Sequence, residues 1–172
     1  IALAAAFAAP RPAQTRPPSS TISIGAGPRF VTGDLGDNVE RGIGIELHET
    51  LRWRYGGVDF WIETNYFLTS QNPPPLSREL QIFGFGLGPR AFVPIGPLEL
   101  TAGVGYQRVG FAPNSLSRQT GNQKGFNALG GSAGLAFHFS QFVVATDAQF
   151  HPMFGSGGSL LSVNLSVGIS TR

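Results

Sequence analysis

The last stretch of the chain alternates strictly between apolar residues and polar or small ones. From Leu161 to Ile169 every second residue is aliphatic, and serine, asparagine or glycine stands between them. Strict alternation is typical of a β-strand with two different faces. A soluble protein would turn the aliphatic face toward its core, whereas a membrane barrel would turn it toward lipid.

The same two-residue period divides the chain from Thr21 onward into eight segments, and none of them shows a convincing helical period. The predicted strands span 21–31, 42–55, 58–68, 80–93, 98–110, 126–139, 142–153 and 160–171. Short turns at 55–58, 93–98 and 139–142 alternate with long polar connections and one shorter glycine-rich one, GSGGS. One end of the molecule therefore carries the short turns and the other carries the loops, which is typical of outer-membrane barrels. The prediction is an all-β protein: an eight-stranded antiparallel up-and-down transmembrane β-barrel over residues 20–172.

The N-terminal segment differs from the rest in composition. Residues 1–19 combine an apolar run with an Ala/Pro-rich stretch, which predicts a signal-peptide remnant or a disordered arm. No later stretch of about 18 apolar residues predicts a transmembrane helix. A closed barrel also satisfies all backbone hydrogen bonds inside a bilayer, so a membrane location stays open.

The polar face of the strands is rich in glycine and serine and carries a few charged residues, as a narrow barrel interior requires. We predict an ion-pair network in the lumen, formed by Arg29, Glu46, Arg52, Arg54, Asp59, Glu63, Arg90, Glu99 and Asp147. The expected pairs are Arg54 with Asp59, Arg52 with Glu63, Arg90 with Glu99, and Arg29 with Glu46. Buried charges are tolerated only when they are paired and hydrogen-bonded. Trp61 and Phe67 should help to plug the lumen, whereas the lumen glycines suggest that some space remains.

Aromatic residues on the strands predict two belts at the two membrane interfaces. Near the short turns these are Trp53, Tyr55, Phe60 and Phe142, and near the loops Tyr66, Tyr106 and Phe150. Two prolines, Pro28 in GAGPRF and Pro89 in GLGPRAF, lie inside predicted strands. Because proline cannot donate to a β-ladder, we expect bulges or bends there.

Composition narrows the function classes. Charged residues make up 13% of the chain, about half the usual share for a soluble domain. The chain has no cysteine, which excludes disulfides and thiolate metal sites. Its net charge is +2 and its arginines are dispersed, so we expect no nucleic-acid partner.

This pattern resembles the small eight-stranded outer-membrane barrels, namely the OmpA transmembrane domain, OmpX and OmpW. The resemblance covers residues 20–172 and rests on architecture. It implies a location in the bacterial outer membrane with both termini in the periplasm. The partners it implies are outer-membrane lipid and lipopolysaccharide, with a protein partner at the external loops as a further candidate.

Candidate chemistry is sparse. His138 and Ser140 have a spacing similar to that of the lipid A deacylase barrels, but they fall at the short-turn end, away from the outer leaflet. Asp34, Asp37 and Glu40 could offer oxygen ligands to Ca²⁺, although their spacing is not that of a known calcium loop. We therefore expect no catalysis, cofactor or metal.

Three functional classes follow from the sequence. The favoured class is a structural or interaction barrel that acts through its external loops, with a lumen plugged by ion pairs. The alternative is a narrow pore or conduit for small solutes or hydrophobic molecules. The third class is a soluble eight-stranded ligand binder of the lipocalin type, which would need an apolar lumen and a charged exterior.

Overall fold

Eight antiparallel strands close into a barrel. The computed structural model describes residues 19–33, 39–69, 80–111, 125–154 and 158–171. The strands are β1 (Ser19–Gly33), β2 (Val39–Arg52), β3 (Gly56–Thr69), β4 (Leu80–Ile95), β5 (Leu98–Phe111), β6 (Phe126–Phe139), β7 (Phe142–Phe154) and β8 (Gly158–Thr171). Each strand pairs with the next, and β1 pairs with β8. The predicted eight-stranded up-and-down barrel is therefore confirmed.

The two faces of every strand differ as the alternation predicts. On β8, Leu165 is 65% exposed and faces outward, whereas its neighbour Asn164 is 1% exposed and faces the interior. Large aliphatic and aromatic side chains cover the outward face of all eight strands. Over the described residues, no helix is long and apolar enough to cross a membrane.

The third short connection is as predicted, but the first begins earlier in the chain and the second is shorter. β2 ends at Arg52, so residues 53–55 form the first turn, and Trp53 N donates to Gly56 O at 2.8 Å. The predicted extension of this strand to residue 55 was wrong. In the next two turns the first central residues, Gly96 and Ser140, have φ values of 63° and 57°. A positive φ at that position is typical of type II′ hairpin turns, which match the twist of the strands.

The two strand prolines interrupt the ladder without bulging it. Pro28 pairs with Ile43 of β2, but neither Gly27 nor Pro28 appears in the register with β8. Gly88 and Pro89 are missing in the same way from the register between β4 and β5. The register resumes unchanged on both sides, so the predicted bulges were wrong. The missing N–H of proline costs one local pairing and does not insert a residue.

The two ends of the barrel are unlike. The three short turns lie at one end, where β1 begins and β8 ends. The other four connections join the strands at the opposite end, and residues 1–18, 34–38, 70–79, 112–124, 155–157 and 172 lie outside the described residues. The predictions for residues 1–18, Asp34, Asp37 and the loops fall on those segments, and the Glu40 side chain is not described either.

Candidate functional site

A completely buried arginine lies at the centre of the lumen. Arg29 of β1 is 0% exposed. Its Nε donates to Asn65 Oδ1 at 2.6 Å, and its Nη1 donates to Asn164 Oδ1. Its Nη2 lies 3.6 Å from Glu46 Oε2 and 3.8 Å from Glu63 Oε2. The guanidinium thus joins β1, β2, β3 and β8, which are neighbours around the closed barrel.

Two buried glutamines extend this cluster across the barrel. Gln107 of β5 donates to Glu63 Oε1. Gln149 of β7 donates to Glu46 Oε2 at 3.2 Å and to Asp147 Oδ2 at 2.7 Å. Together with Arg29 and its direct partners these residues form what we call the Arg29 cluster. Six of the eight strands contribute to it.

Below the Arg29 cluster, toward the short turns, a tryptophan fills the lumen. Trp61 stacks on His151, with ring centroids 6.0 Å apart, and contacts His48 at 5.9 Å. A side chain at Gly86, the cross-strand partner of Trp61 on β4, or at Gly105 on β5 would overlap the Trp61 ring. The Trp61 ring therefore occupies the space that side chains at these two positions would need. Of the glycines that suggested remaining space, these two are filled by the ring, whereas Gly88, Gly103 and Gly130 line a small cavity beside it.

Little free volume remains beside this ring. The cavity between Trp61, Asp59, Ser132 and Gln149 measures about 20 Å³. A water molecule needs at least about 10–15 Å³ of such space, so the cavity has room for about one. The lumen at this level is thus filled by side chains.

A second ion-pair layer lies nearer the short turns. Arg90 Nη1 lies 2.7 Å from Asp59 Oδ2, and Arg52 forms a bidentate pair with Glu99. Arg52 also lies over the Phe92 ring, 4.6 Å from its centroid. We call this group the lower ion-pair layer. Its two cations and two anions come from β2, β3, β4 and β5.

The pairing in this layer differs from the one expected. Arg52 binds Glu99 of β5 across the lumen and not Glu63 of its hairpin partner, and Arg90 binds Asp59 and not Glu99. Arg54 does not face the lumen, because it lies in the turn after the end of β2, where its guanidinium is 5.0 Å from the Tyr55 ring centroid. Arg29 lies near Glu46 as expected, and Asp147 contacts Gln149.

Sequence reasoning largely missed an apolar layer at the loop end of the lumen. This apolar cap consists of Phe67, Ile82, Val109, Ala128, Met153 and Leu160, with Val31 and Phe126 packed against it. Phe67, Val109 and Leu160 lie two residues closer to the loops than the buried polar residue on the same strand, which is Asn65, Gln107 or Ser162. The sequence did carry a signal for this layer. Near the loop end of several strands, an apolar residue stands at a position of the alternation that is otherwise occupied by polar or small residues.

The predicted belt residues are all exposed. Phe60, Tyr66, Tyr106, Phe142 and Phe150 lie on outward strand positions, and Trp53 and Tyr55 lie in the first turn. At the short-turn end Phe142 stacks on Phe139, with ring centroids 5.6 Å apart. Glu49 is exposed on the outward face of β2, where Ser20 Oγ donates to its Oε1 at 3.3 Å.

The candidate catalytic pair is only partly assembled. His138 Nε2 lies 3.3 Å from Glu99 Oε1, which sequence reasoning did not expect, because these residues are 39 positions apart. Ser140 is exposed in the β6–β7 turn. Within the described ranges, no three His, Asp or Glu side chains are placed to hold a metal ion.

The chain is similar to known proteins in its fold and not in its sequence. No protein-family model and no curated protein sequence matches the chain. The attachment invasion locus protein Ail of Yersinia pestis matches with a TM-score of 0.55 and 17% identity, over 91% of this chain and 100% of Ail. Neisserial surface protein A matches with a TM-score of 0.59 and 10% identity, over 88% of this chain and 96% of that one.

The fold is that of the small eight-stranded outer-membrane barrels. The predicted resemblance to these barrels is confirmed at the level of the fold. Ail has also been solved in complex with the heparin analogue sucrose octasulfate, and that structure matches with a TM-score of 0.54 and 18% identity, over 91% of this chain and 100% of that chain.

Removing the central arginine should destabilise the barrel more than removing the others. We expect Arg29→Met to lower the free energy of unfolding by about 3–5 kcal/mol, because Glu46 and Glu63 would lose their shared buried cation. Arg52→Met should cost less, since the Arg52 side chain is 22% exposed and its partner could gain water. Urea unfolding in lipid vesicles would measure both.

Arg54→Met is the matched control, because Arg54 is exposed in the first turn. It should leave the urea midpoint unchanged. If Arg29→Met were as stable as this control, the Arg29 cluster would contribute nothing to the fold.

Proposed function

We propose that this chain is a non-catalytic bacterial outer-membrane protein that acts through its external loops, with a closed lumen, no cofactor and both termini in the periplasm. Its immediate partners would be outer-membrane lipid and lipopolysaccharide. A protein or surface partner would meet the loops.

The outward surface supports the membrane location. Ile62 and Leu165 are 63% and 65% exposed near the middle of their strands. A continuous apolar exterior of this size is incompatible with water but matches the hydrocarbon core of a bilayer. A soluble lipocalin-type binder would need the reverse distribution, with charge outside and an apolar cavity inside.

The packing of side chains along the lumen is the observation that carries the proposal. The apolar cap, the Arg29 cluster, Trp61 and the lower ion-pair layer follow one another along the barrel axis. An eight-stranded barrel has an interior just wide enough to be filled by side chains. A solute crossing this lumen would have to displace several layers in series. The protein can then act only through its outer surface and its ends.

A narrow pore or conduit for small solutes or hydrophobic molecules is the second candidate. It is favoured by the lower ion-pair layer, where Arg52 and His138 are 22% and 21% exposed and could meet solutes entering from the short-turn end. That mouth is blocked above by Trp61.

Conductance distinguishes the two candidates. We expect the refolded barrel to show no conductance steps in a planar bilayer. Arg52→Ala should also be silent, because it opens only the lower layer while the Arg29 cluster and the apolar cap stay in place. A heat-dependent shift in gel mobility would show that each variant had folded.

Reproducible steps in the wild-type protein that changed size with Arg52→Ala or Glu63→Ala would contradict the closed lumen. They would favour the pore and place its constriction at those residues.

The loop role can be tested with a polyanion. The segment 112–124 carries Arg118 and Lys124 and no acidic residue. Since Ail, which has the same fold, was solved with a heparin analogue, heparin is a suitable probe. We expect the folded barrel to bind immobilised heparin, and Arg118→Ser with Lys124→Ser to lower the eluting salt concentration by about 0.1 M, because salt screens the attraction between these cations and a polyanion.

Arg54→Ser is the matched control, because it removes a cation from the short-turn end. It should elute with the wild type. Equal elution of the loop variant and the wild type, or absence of heparin binding, would contradict a polyanion-binding role for this loop.

A further inference from the structure

The outward face of the barrel has a groove on β5, β6 and β7. It measures about 400 Å³ and is lined by Val104, Leu129, Gly130, Gly131, Phe150 and Pro152. All of these residues are apolar or glycine. The groove is therefore an open apolar recess against which an apolar group can pack.

The sequence explains why the wall is recessed there. Pro152 has no N–H to donate, and the β6–β7 register has no pairs between Ala128↔Met153 and Gly131↔Phe150. Gly131 faces outward without a side chain, and a methyl group on it would lie 3.7 Å from the nearest atom, Gly103 O. The groove thus comes from an interrupted ladder and a missing side chain.

A polar cluster lies next to the groove on its loop side. Tyr106 OH donates to Asn127 Oδ1 at 2.6 Å, and Arg108 Nη1 donates to the same oxygen at 2.9 Å. The register pairs Tyr106 with Leu129 and Arg108 with Asn127. The guanidinium is therefore anchored one pleat, about 7 Å along the strand, from the groove wall.

We propose that this face binds a phosphate-bearing lipid, with one acyl chain in the groove and the lipid phosphate on Arg108. The inference rests on the proposed membrane location, since only a bilayer would present a lipid to this face. Arginine is permanently charged and offers a planar set of donors that matches phosphate. On the described outward positions of β5, β6 and β7, Arg108 is the single charged residue, so no carboxylate opposes an anion.

The arrangement favours a lipid over free phosphate. Arg108 is exposed, and an exposed guanidinium alone holds phosphate weakly in water. The adjoining groove adds burial of an acyl chain, which contributes about 0.8 kcal/mol for each CH₂ group removed from water. Both contacts are available only to a molecule that carries the phosphate and the chain together.

Two probes with one acyl chain separate the two contacts. The refolded protein in detergent is titrated with 1-oleoyl lysophosphatidic acid, or with monoolein, which has the same chain and no phosphate, and bound lipid is counted by native mass spectrometry. We expect tighter retention of the phosphate-bearing probe. Arg108→Gln should lower that retention about ten-fold, through loss of charge-assisted hydrogen bonds, and leave monoolein unchanged.

Substitutions in the groove should act on both probes. Gly131→Leu fills the groove from outside, and Phe150→Ala removes one of its walls, so each should weaken both lipids. The matched controls are Arg41→Gln, an exposed arginine near the loop end of β2, and Ala26→Leu, an exposed position on β1. Neither should change retention.

Equal retention of the two probes by the wild type would overturn the phosphate contact. Unchanged retention in folded Gly131→Leu and Phe150→Ala would overturn the groove. Neither result depends on conductance or on heparin binding, which test the proposed function separately.

Discussion

The buried guanidinium of Arg29 is the constraint on which the interior depends. A charge removed from water in this way is stable only if its donors are met by acceptors and its charge by anions. Asn65 and Asn164 accept hydrogen bonds from Nε and Nη1, and the carboxylates of Glu46 and Glu63 lie 3.6 Å and 3.8 Å from Nη2. Those carboxylates in turn need the amides of Gln107 and Gln149. Burial of one arginine thus requires polar side chains from six strands at the same level along the barrel axis.

Size complementarity completes what the polar contacts begin. Trp61 projects from β3 across the lumen, and Gly86 and Gly105 on β4 and β5 make room for its ring. Because a narrow barrel has a fixed diameter, a large side chain that turns into the lumen requires small residues on the strands beside it. The apolar cap repeats this filling at the loop end without polar groups. The outward side chains do not take part in packing the interior, so they can be apolar and contact lipid.

The alternation of residues predicted the strands and their faces, and the alternation of short and long connections predicted the up-and-down topology. Neither pattern could predict partners across the lumen, because Arg52 and Glu99 lie on strands that are not neighbours, and their approach depends on the stagger of the whole barrel. Arg54 was misplaced because its strand ends two residues earlier, at Arg52. Gly86 and Gly105 were wrongly read as free space, because a glycine in the sequence does not show which neighbouring side chain occupies the space beside it.

Because the sequence contains no cysteine, closure of the lumen can be tested with a single introduced thiol. Ser162 and Ser170 both face the lumen on β8, and Ser162 is 2% exposed beside the Arg29 cluster, whereas Ser170 is half-buried at the short-turn end. Ser162→Cys and Ser170→Cys would be treated with a charged thiol reagent in the folded protein. A closed lumen predicts rapid labelling of Ser170→Cys and no labelling of Ser162→Cys until the barrel is unfolded. Labelling of both at similar rates would show that the lumen is open at the level of Arg29.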